Sequence, residues 1–279
     1  MTQVAIQGEI GAFSHEAALR LVSAASIVPC SLSADVFSAL SVGRVDAAVV
    51  PIENSLAGSV IEHFDLLLKH DLVIVDEALL RILHNLIALP GVVESEVNTV
   101  YSHPVALAQC RQFFAARPSM QPCAFYDTAG SVKHLVETGN RSAAAIASSH
   151  AAQHYGASIL VAGIEDNPEN YTRFFHLRRR SDAPFIVDAN KLSLAFSVEN
   201  RPGTLVAALQ QLAAQGTNLT KIESRPVHGR PWEYIFYVDC QLTHPAAAEA
   251  AIAALRSHCS MVRELGLYRE AVLEETPRV

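Results

Sequence analysis

The stretch Ala47-Ala48-Val49-Val50-Pro51-Ile52-Glu53-Asn54-Ser55-Leu56-Ala57-Gly58-Ser59-Val60 decides the fold class. Its first six residues form an apolar run that predicts a buried strand. Residues 59–69 then carry a helical pattern, so strand passes to helix through a loop rich in side-chain oxygen and amide groups. The same alternation recurs on both sides. Residues 4–7 lead into a helix over 14–24, and 27–29 into one over 34–42. Strands near 99–102, 124–126, 143–147 and 159–162 alternate with helices over 104–116, 131–137 and 149–154. This order predicts an α/β domain with a mostly parallel sheet and helices on both faces. In such sheets ligand groups gather in loops at the carboxyl ends of strands. Four loops qualify: 8–15, 51–59, Ser102-His103-Pro104 and Asp127-Thr128-Ala129-Gly130-Ser131. Each ends where helix-terminal N–H groups are free to receive a carboxylate.

A second unit follows the polar segment 178–184, which reads as a linker with a solvated strand end. Strand 192–198, helix 203–214, strands 218–224 and 233–240, helix 245–257 and strand 262–268 give the order βαββαβ, a ferredoxin-like pattern. The turn 226–231, with Gly229, suits a hairpin between its middle strands. Composition sets the limits. The chain has 279 residues, half of them hydrophobic and 18% charged, which fits two packed domains and excludes a disordered chain. Net charge is −7, a poor match for a nucleic-acid phosphate backbone. The N-terminus has no basic residue before Arg20, so no signal peptide is expected, and the apolar window 78–93 is too interrupted to span a membrane. The five cysteines fall in apolar runs without CxxC spacing, as expected of reduced thiols in a cytoplasmic protein.

Several signals carry no cofactor. Gly8 and Gly11 lack the G-x-G-x-x-G spacing of a dinucleotide site, and there is neither a P-loop nor HExxH. His150 and His154 sit four apart without a third ligand and read as ordinary helix residues. No metal and no cofactor is expected. Two segments stay open on chemistry alone. Glu53 at a strand end is either a desolvated acid or part of a helix-entry cap with Asn54 and Ser55. Arg173, in Asn170-Tyr171-Thr172-Arg173-Phe174, is either a bidentate carboxylate clamp or a surface ion pair.

Taken together, Gly11–Ala18 (GAFSHEAA), Pro51–Val60 (PIENSLAGSV), Ser102–Cys110 (SHPVALAQC), Asp127–Val132 (DTAGSV) and Asn170–Phe174 (NYTRF) closely resemble prephenate dehydratase, in order and spacing along the whole chain. The last hundred residues resemble an ACT domain, through Asn200-Arg201-Pro202-Gly203-Thr204-Leu205 and Lys221-Ile222-Glu223-Ser224-Arg225-Pro226. With no chorismate mutase segment ahead of these motifs, the likeness is to the monofunctional form. Two positions depart from the family pattern: Thr204 stands for alanine and Val105 for glutamine.

The resemblance implies a two-lobed catalytic domain like a type II periplasmic binding protein over 1–182, then an ACT domain over 190–279. Lobe one would hold 1–78 and 160–180, and lobe two 79–159. The implied reaction is loss of water and carbon dioxide from prephenate, giving phenylpyruvate, with arogenate as the alternative substrate and a non-catalytic amino-acid sensor as the alternative function. Thr172 is then expected at the leaving hydroxyl, with Glu53 as proton source and Asn54 and Ser55 beside it. Ser14, Gly58, Gln109, Thr128, Arg173 and Phe174 are expected on the substrate. Feedback by L-phenylalanine would use Asn200, Pro202, Gly203, Thr204, Leu205, Asn218, Glu223, Ser224 and Arg225, in a homodimer or homotetramer joined through ACT domains.

Overall fold

A computed structural model describes residues 1–227 and 232–273. The chain divides into two compact units, one of Met1–His63 with Ala78–Phe174, the other of Phe64–Glu77 with the residues from Phe175 onward. The elements run in this order: β1 (Thr2–Gln7), α1 (Phe13–Leu21), β2 (Ala25–Cys30), α2 (Ser33–Ser41), β3 (Ala47–Asn54), β4 (Gly58–Ser59), α3 (Ile61–Lys69), β5 (Leu72–Arg81) and β6 (Asn85–Ala88). Then come β7 (Thr99–Ser102), α4 (Pro104–Ala108), α5 (Arg111–Ala115), β8 (Gln121–Ala124), α6 (Thr128–Thr138), β9 (Ala143–Ala147), α7 (Ser149–Tyr155), β10 (Ser158–Val161) and β11 (Tyr171–Arg179). The C-terminal part holds β12 (Lys191–Ser197), α8 (Thr204–Ala214), β13 (Asn218–Pro226), β14 (Tyr234–Gln241), α9 (Ala247–Arg256) and β15 (Met261–Tyr268).

The first unit contains two sheets, in keeping with the two lobes expected of it. Its first sheet places β2, β1, β3 and β11 side by side, with β1 parallel to both β2 and β3. Val4, Ala5 and Ile6 of β1 are wholly buried, as a central parallel strand covered on both faces requires. The second sheet has the order β10-β6-β9-β7-β8. Its β7, β8 and β9 are parallel, and β6 alone is reversed, running antiparallel to both of its neighbours, β9 and β10. The chain thus enters the second sheet through β6 and leaves through β10, returning as β11 to lie beside β3. Separate apolar cores back the sheets: Val4, Ile6, Ala17, Val49 and Phe174 in one, Leu86, Val100, Phe113 and Ile146 in another.

The lobes meet closely at Gly11. A Cβ there would come within 2.7 Å of Ala151 Cα, and the residue has φ +91°; Ser148, which caps α7, also donates to the Gly11 carbonyl at 2.6 Å. Glycine is therefore demanded twice, by conformation and by space.

The expected helix over 104–116 is broken into α4 and α5. The break has a cause: Asp166 accepts from the backbone N–H of Arg111 and Gln112, at 3.0 and 2.8 Å, and so caps a new helix start. Gln109 sits at the end of α4, its N–H still bonded to the Val105 carbonyl while its own carbonyl accepts from the Asp166 N–H at 2.7 Å. Residues 178–179 extend β11, and the charges of this segment are paired, Arg179 with Asp182 and Arg180 with Asp71.

In the second unit the sheet order is β13-β14-β12-β15-β5, with α8 and α9 packing Ala208, Leu212, Ala251 and Leu255 onto Leu192, Leu194 and Val238. The ferredoxin-like order βαββαβ is realised in β12 through β15. The expected turn at 226–231 falls mostly on 228–231, outside the described residues. This unit also takes in part of α3 and the start of β5: Phe64 packs on Tyr237 at 4.9 Å between centroids, and Gly266 of β15 pairs with Ile74. Lys191 is buried against Glu77, at 2.8 Å, with Glu270 at 3.3 Å. Among the described residues no helix is long and apolar enough to cross a membrane.

Candidate active site

A cavity of about 560 Å³ opens within the first unit, a size suited to a small molecule. Its wall draws Ser14 from the start of α1, Asn54 from the end of β3, Gly58 from β4 and Thr172 and Phe174 from β11. The second sheet contributes His103 and Gln109 from the ends of α4, with Tyr126, Asp127 and Thr128 at the start of α6. His84, between β5 and β6, completes this side. Seven expected residues are thus brought together: Ser14, Asn54, Gly58, Gln109, Thr128, Thr172 and Phe174.

Three expected residues are not on that wall. In β11 the side chains alternate, so Thr172 and Phe174 face the cavity and Arg173 faces away. Arg173 is buried, with its guanidinium 3.7 Å from the Glu53 carboxylate. Glu53 and Arg173 thus pair with each other off the cavity wall, and this geometry by itself lends no support to their expected roles as proton source and substrate clamp. Ser55 ties the loop to β11, its hydroxyl donating to the Glu169 carbonyl and accepting from the Tyr171 N–H, each at 3.0 Å.

Thr172 is only 8% exposed, and its hydroxyl oxygen lies 2.9 Å from Asn54 Nδ2. The oxygen accepts this bond, which leaves the hydroxyl proton available for a group in the cavity. Asn54 Nδ2 also lies 2.8 Å from Asn170 Oδ1 and 3.1 Å from the Tyr171 carbonyl. Its own Oδ1 accepts from the Leu56 and Ala57 N–H groups. This is the Asx geometry that asparagine favours in turns, and it fixes a side chain that sequence alone left between cap and catalyst.

The charge in the cavity is unusual for a site expecting anions. Among the described residues on its wall are Glu9 and Asp127, but no Lys or Arg. Glu9 accepts from Tyr126 at 3.0 Å and from Lys133 at 3.1 Å, tying the first loop to α6. Burial pushes the Asp127 carboxyl up, against the bond it accepts from the Gly130 N–H as the cap of α6. The positive potential comes from helix ends instead. No side chain caps α1, and Ala12, Phe13 and Ser14 all lie on the cavity wall, so the first N–H groups of a nine-residue helix point toward it.

The segments expected to bind an effector lie in the second unit. Gly203 begins α8 in the left-handed region, φ +86°, and Thr204 donates back to the Glu199 carbonyl. The sheet register sets both Ser197 and Arg225 opposite Ile235, so the loop 198–203 and the segment Glu223–Arg225 share one end of the sheet, two strands or about 10 Å apart. Asn218 stands at the other end, opposite Gln241 and bonded to it at 2.9 Å. Seven residues of strand separate it from Arg225, roughly 23 Å. Arg225 itself pairs with Asp65 at 2.7 Å.

Comparison with known proteins adds what geometry alone does not. The family model for prephenate dehydratase matches residues 4–182, and that for the ACT domain matches 192–257. The chain belongs to the prephenate dehydratase family. It is 39% identical to arogenate dehydratase/prephenate dehydratase 2 of Arabidopsis thaliana, over 95% of this chain and 72% of that one. Among solved structures, prephenate dehydratase of Arthrobacter aurescens in complex with L-Phe superposes with TM-score 0.87 at 32% identity, covering 96% of this chain and 90% of the other. A protein described as a novel type of quorum-quenching acylase, GqqA, also reaches TM-score 0.87, at 33% identity and over 96% and 97%. The enzyme is thus a hydro-lyase of this family, built as an α/β catalytic part followed by an ACT domain.

Two residues of the cavity wall were not among the site residues expected of this dehydratase. His84 lay in a window, 78–93, read only for its failure to span a membrane. Asp127 was read as the start of a helix loop, not as a buried carboxyl on the cavity wall. A polar residue interrupting an apolar run beside a strand end was the available signal in both.

Proposed function

We propose that the enzyme converts prephenate to phenylpyruvate, carbon dioxide and water, and that L-phenylalanine bound to its ACT domain inhibits it. In this reaction the ring carboxylate leaves as neutral carbon dioxide, its bonding pair enters the ring, and the hydroxyl opposite departs with one added proton as water. The observation that carries the reading is that the Thr172 hydroxyl lines the cavity and accepts from Asn54, which leaves its own proton to donate elsewhere. A hydrogen bond from Thr172 to the departing oxygen strengthens as negative charge develops there. One carboxylate sits on the open N-terminus of α1, with Ser14, while Gln109 and Thr128 offer donors from the other lobe. The low-dielectric wall, Phe13, Phe174 and Ile82, favours loss of a charged carboxylate as an uncharged gas. The acylase name stays with the related protein: Thr172 faces an amide rather than a base, which suits hydrogen bonding to a leaving group better than nucleophilic attack.

Arogenate is the second reading, favoured by Glu9 and Asp127. Arogenate carries an ammonium where prephenate has a ketone, and two wall carboxylates suit an ammonium. Turnover of both substrates, measured side by side with and without phenylalanine, decides. The prephenate reading expects the higher kcat/KM for prephenate and inhibition by phenylalanine; preference for arogenate replaces it, and no turnover of either refutes both.

All cavity-lining residues fall within 1–182, which supports that range as the catalytic domain and 190–279 as the ACT domain. The homodimer reading rests on β13, an edge strand with Ile222 46% exposed, which offers unpaired backbone groups to a second copy. It also explains how Asn218 joins an effector site, since a second copy can bring its own Asn218 to the loop 198–203. Light scattering with and without phenylalanine separates dimer from tetramer. The five free cysteines suit a reducing, cytoplasmic setting.

A further inference from the structure

The polarity of the amide chain beside Thr172 can be read from one end. The N–H groups of Leu56 and Ala57 reach one atom of the Asn54 amide at 3.0 and 2.8 Å. A backbone N–H only donates, so that atom is the oxygen and the other is the nitrogen. The nitrogen donates to Asn170 at 2.8 Å, which fixes the Asn170 oxygen. The Asn170 nitrogen then donates to Gln109 at 3.1 Å, which fixes Gln109 Oε1. The same Oε1 lies 2.9 Å from His84 Nε2. An acceptor on that side requires a proton on Nε2, so the ring is the Nε2–H tautomer with a bare Nδ1.

His84 is built to hold this state. It is 2% exposed, its ring meets Phe13 edge-on at 5.8 Å, and its own N–H donates to Glu165 at 2.9 Å. Burial holds its pKa below the usual histidine value. Nδ1 is buried and has no partner among the described residues.

We propose that His84 is a positioning residue of this enzyme. With Asn170 it occupies both lone pairs of Gln109 Oε1, which prevents the amide from flipping and keeps the Gln109 Nε2 hydrogens toward the cavity. Among the described residues the one hydrogen bond of that nitrogen is a long one, 3.5 Å to Asn54 Oδ1, so it can donate to an anionic oxygen of the substrate. A flipped amide would present its own oxygen there and repel that anion. This inference rests on the dehydratase reading.

The test compares His84→Gln, which carries a donor at the reach of Nε2, with His84→Leu, which keeps the volume and loses the donor. Steady-state kinetics on the preferred substrate should show about a tenfold or greater loss of kcat/KM for His84→Leu. His84→Gln should recover to within about threefold of the parent. In a Gln109→Ala background, His84→Leu should have no further effect, because its action passes through Gln109. Side-chain ¹⁵N shifts of His84 in the unmodified enzyme should report the Nε2–H tautomer. Equal activities of the two folded variants, losses that multiply with Gln109→Ala, or an Nδ1–H tautomer would overturn the proposal. If His84→Leu does not fold, His84→Asn, too short to reach Gln109, takes its place in the same comparison. Failure of the unmodified enzyme to turn over either substrate refutes the dehydratase reading instead, and this inference with it.

Discussion

Replacing Thr172 by valine exchanges one hydroxyl for a methyl while keeping the branched shape that β11 accommodates. The structure sets the expected cost. Asn54 Nδ2 has two hydrogens facing three acceptors, at 2.8, 2.9 and 3.1 Å. Losing the Thr172 oxygen therefore leaves Asn170 and the Tyr171 carbonyl to take both, and no buried donor is stranded. Stability should fall by no more than about 1 kcal/mol, the net worth of one neutral hydrogen bond. Catalysis should lose far more, because the hydroxyl proton is directed at charge that develops only as the bond breaks. A loss of at least about a hundredfold in kcat is expected, about 2.7 kcal/mol of barrier, with KM nearly unchanged. The measurement is steady-state turnover of the preferred substrate, followed by loss of the ring diene and appearance of the aromatic product, on protein whose thermal midpoint matches the parent's. A kcat within about fivefold of the parent removes Thr172 from the chemistry. A rise in KM with kcat preserved would make it a binding group only.

Gly11→Ala should lower kcat/KM sharply, since the added methyl meets the backbone of Ala151 and forces the lobes apart; unchanged kinetics would show that the lobes do not need this approach. Lys191→Met should cost about 3–5 kcal/mol in denaturant unfolding, because Glu77, 4% exposed, loses the ammonium 2.8 Å from its buried carboxylate. The double replacement Lys191→Met with Glu77→Leu should recover most of that loss. His176 has its pKa lowered to about 4 by burial and by the neighbouring Arg178, so the folded protein keeps it neutral while the unfolded chain protonates near 6.5. Its contribution is present above pH 6.5 and is lost as pH falls toward 4, by about 3 kcal/mol in all. His176→Gln should flatten this acid limb in thermal melts from pH 7 to 4.5, and an unchanged limb would place the proton uptake elsewhere.

How much of this was legible in the sequence depends on which physical rule governed each residue. Loops after apolar strands pointed to Ser14, Asn54 and Thr128 because chain direction in an α/β sheet sends strand ends and helix starts to one place, whereas Thr172, inside β11, came only through the family resemblance. Facing was harder. Glu53 and Arg173 are the chain neighbours of Asn54 and Thr172, yet strand alternation, in β3 for one and β11 for the other, leaves them off the cavity wall. The run 104–116 reads as one helix, since the residue that breaks it, Asp166, lies more than fifty positions later. Strands β5 and β6 were hidden because strand and helix look alike in short apolar runs, and Arg81, His84 and Asn85 interrupt this one. Asn218 looked like a partner of the loop 198–203 by motif, but strand length places it at the far end of the sheet within one chain.

The directional amide chain also bears on how this site can change over generations. Asn54, Asn170 and Gln109 each receive their orientation from the preceding member and pass it on, so they are not independent positions. Asn170→Asp would leave Gln109 Oε1 facing an acceptor, and Gln109→Glu would oppose its carboxylate to both Asn54 Oδ1 and an anionic substrate. Substitutions that are mild elsewhere therefore reverse the sense of several bonds at once. A viable lineage would have to cross through paired replacements, and libraries that vary residues 54, 84, 109 and 170 together should recover active combinations that single-site scans at any one of them never reach.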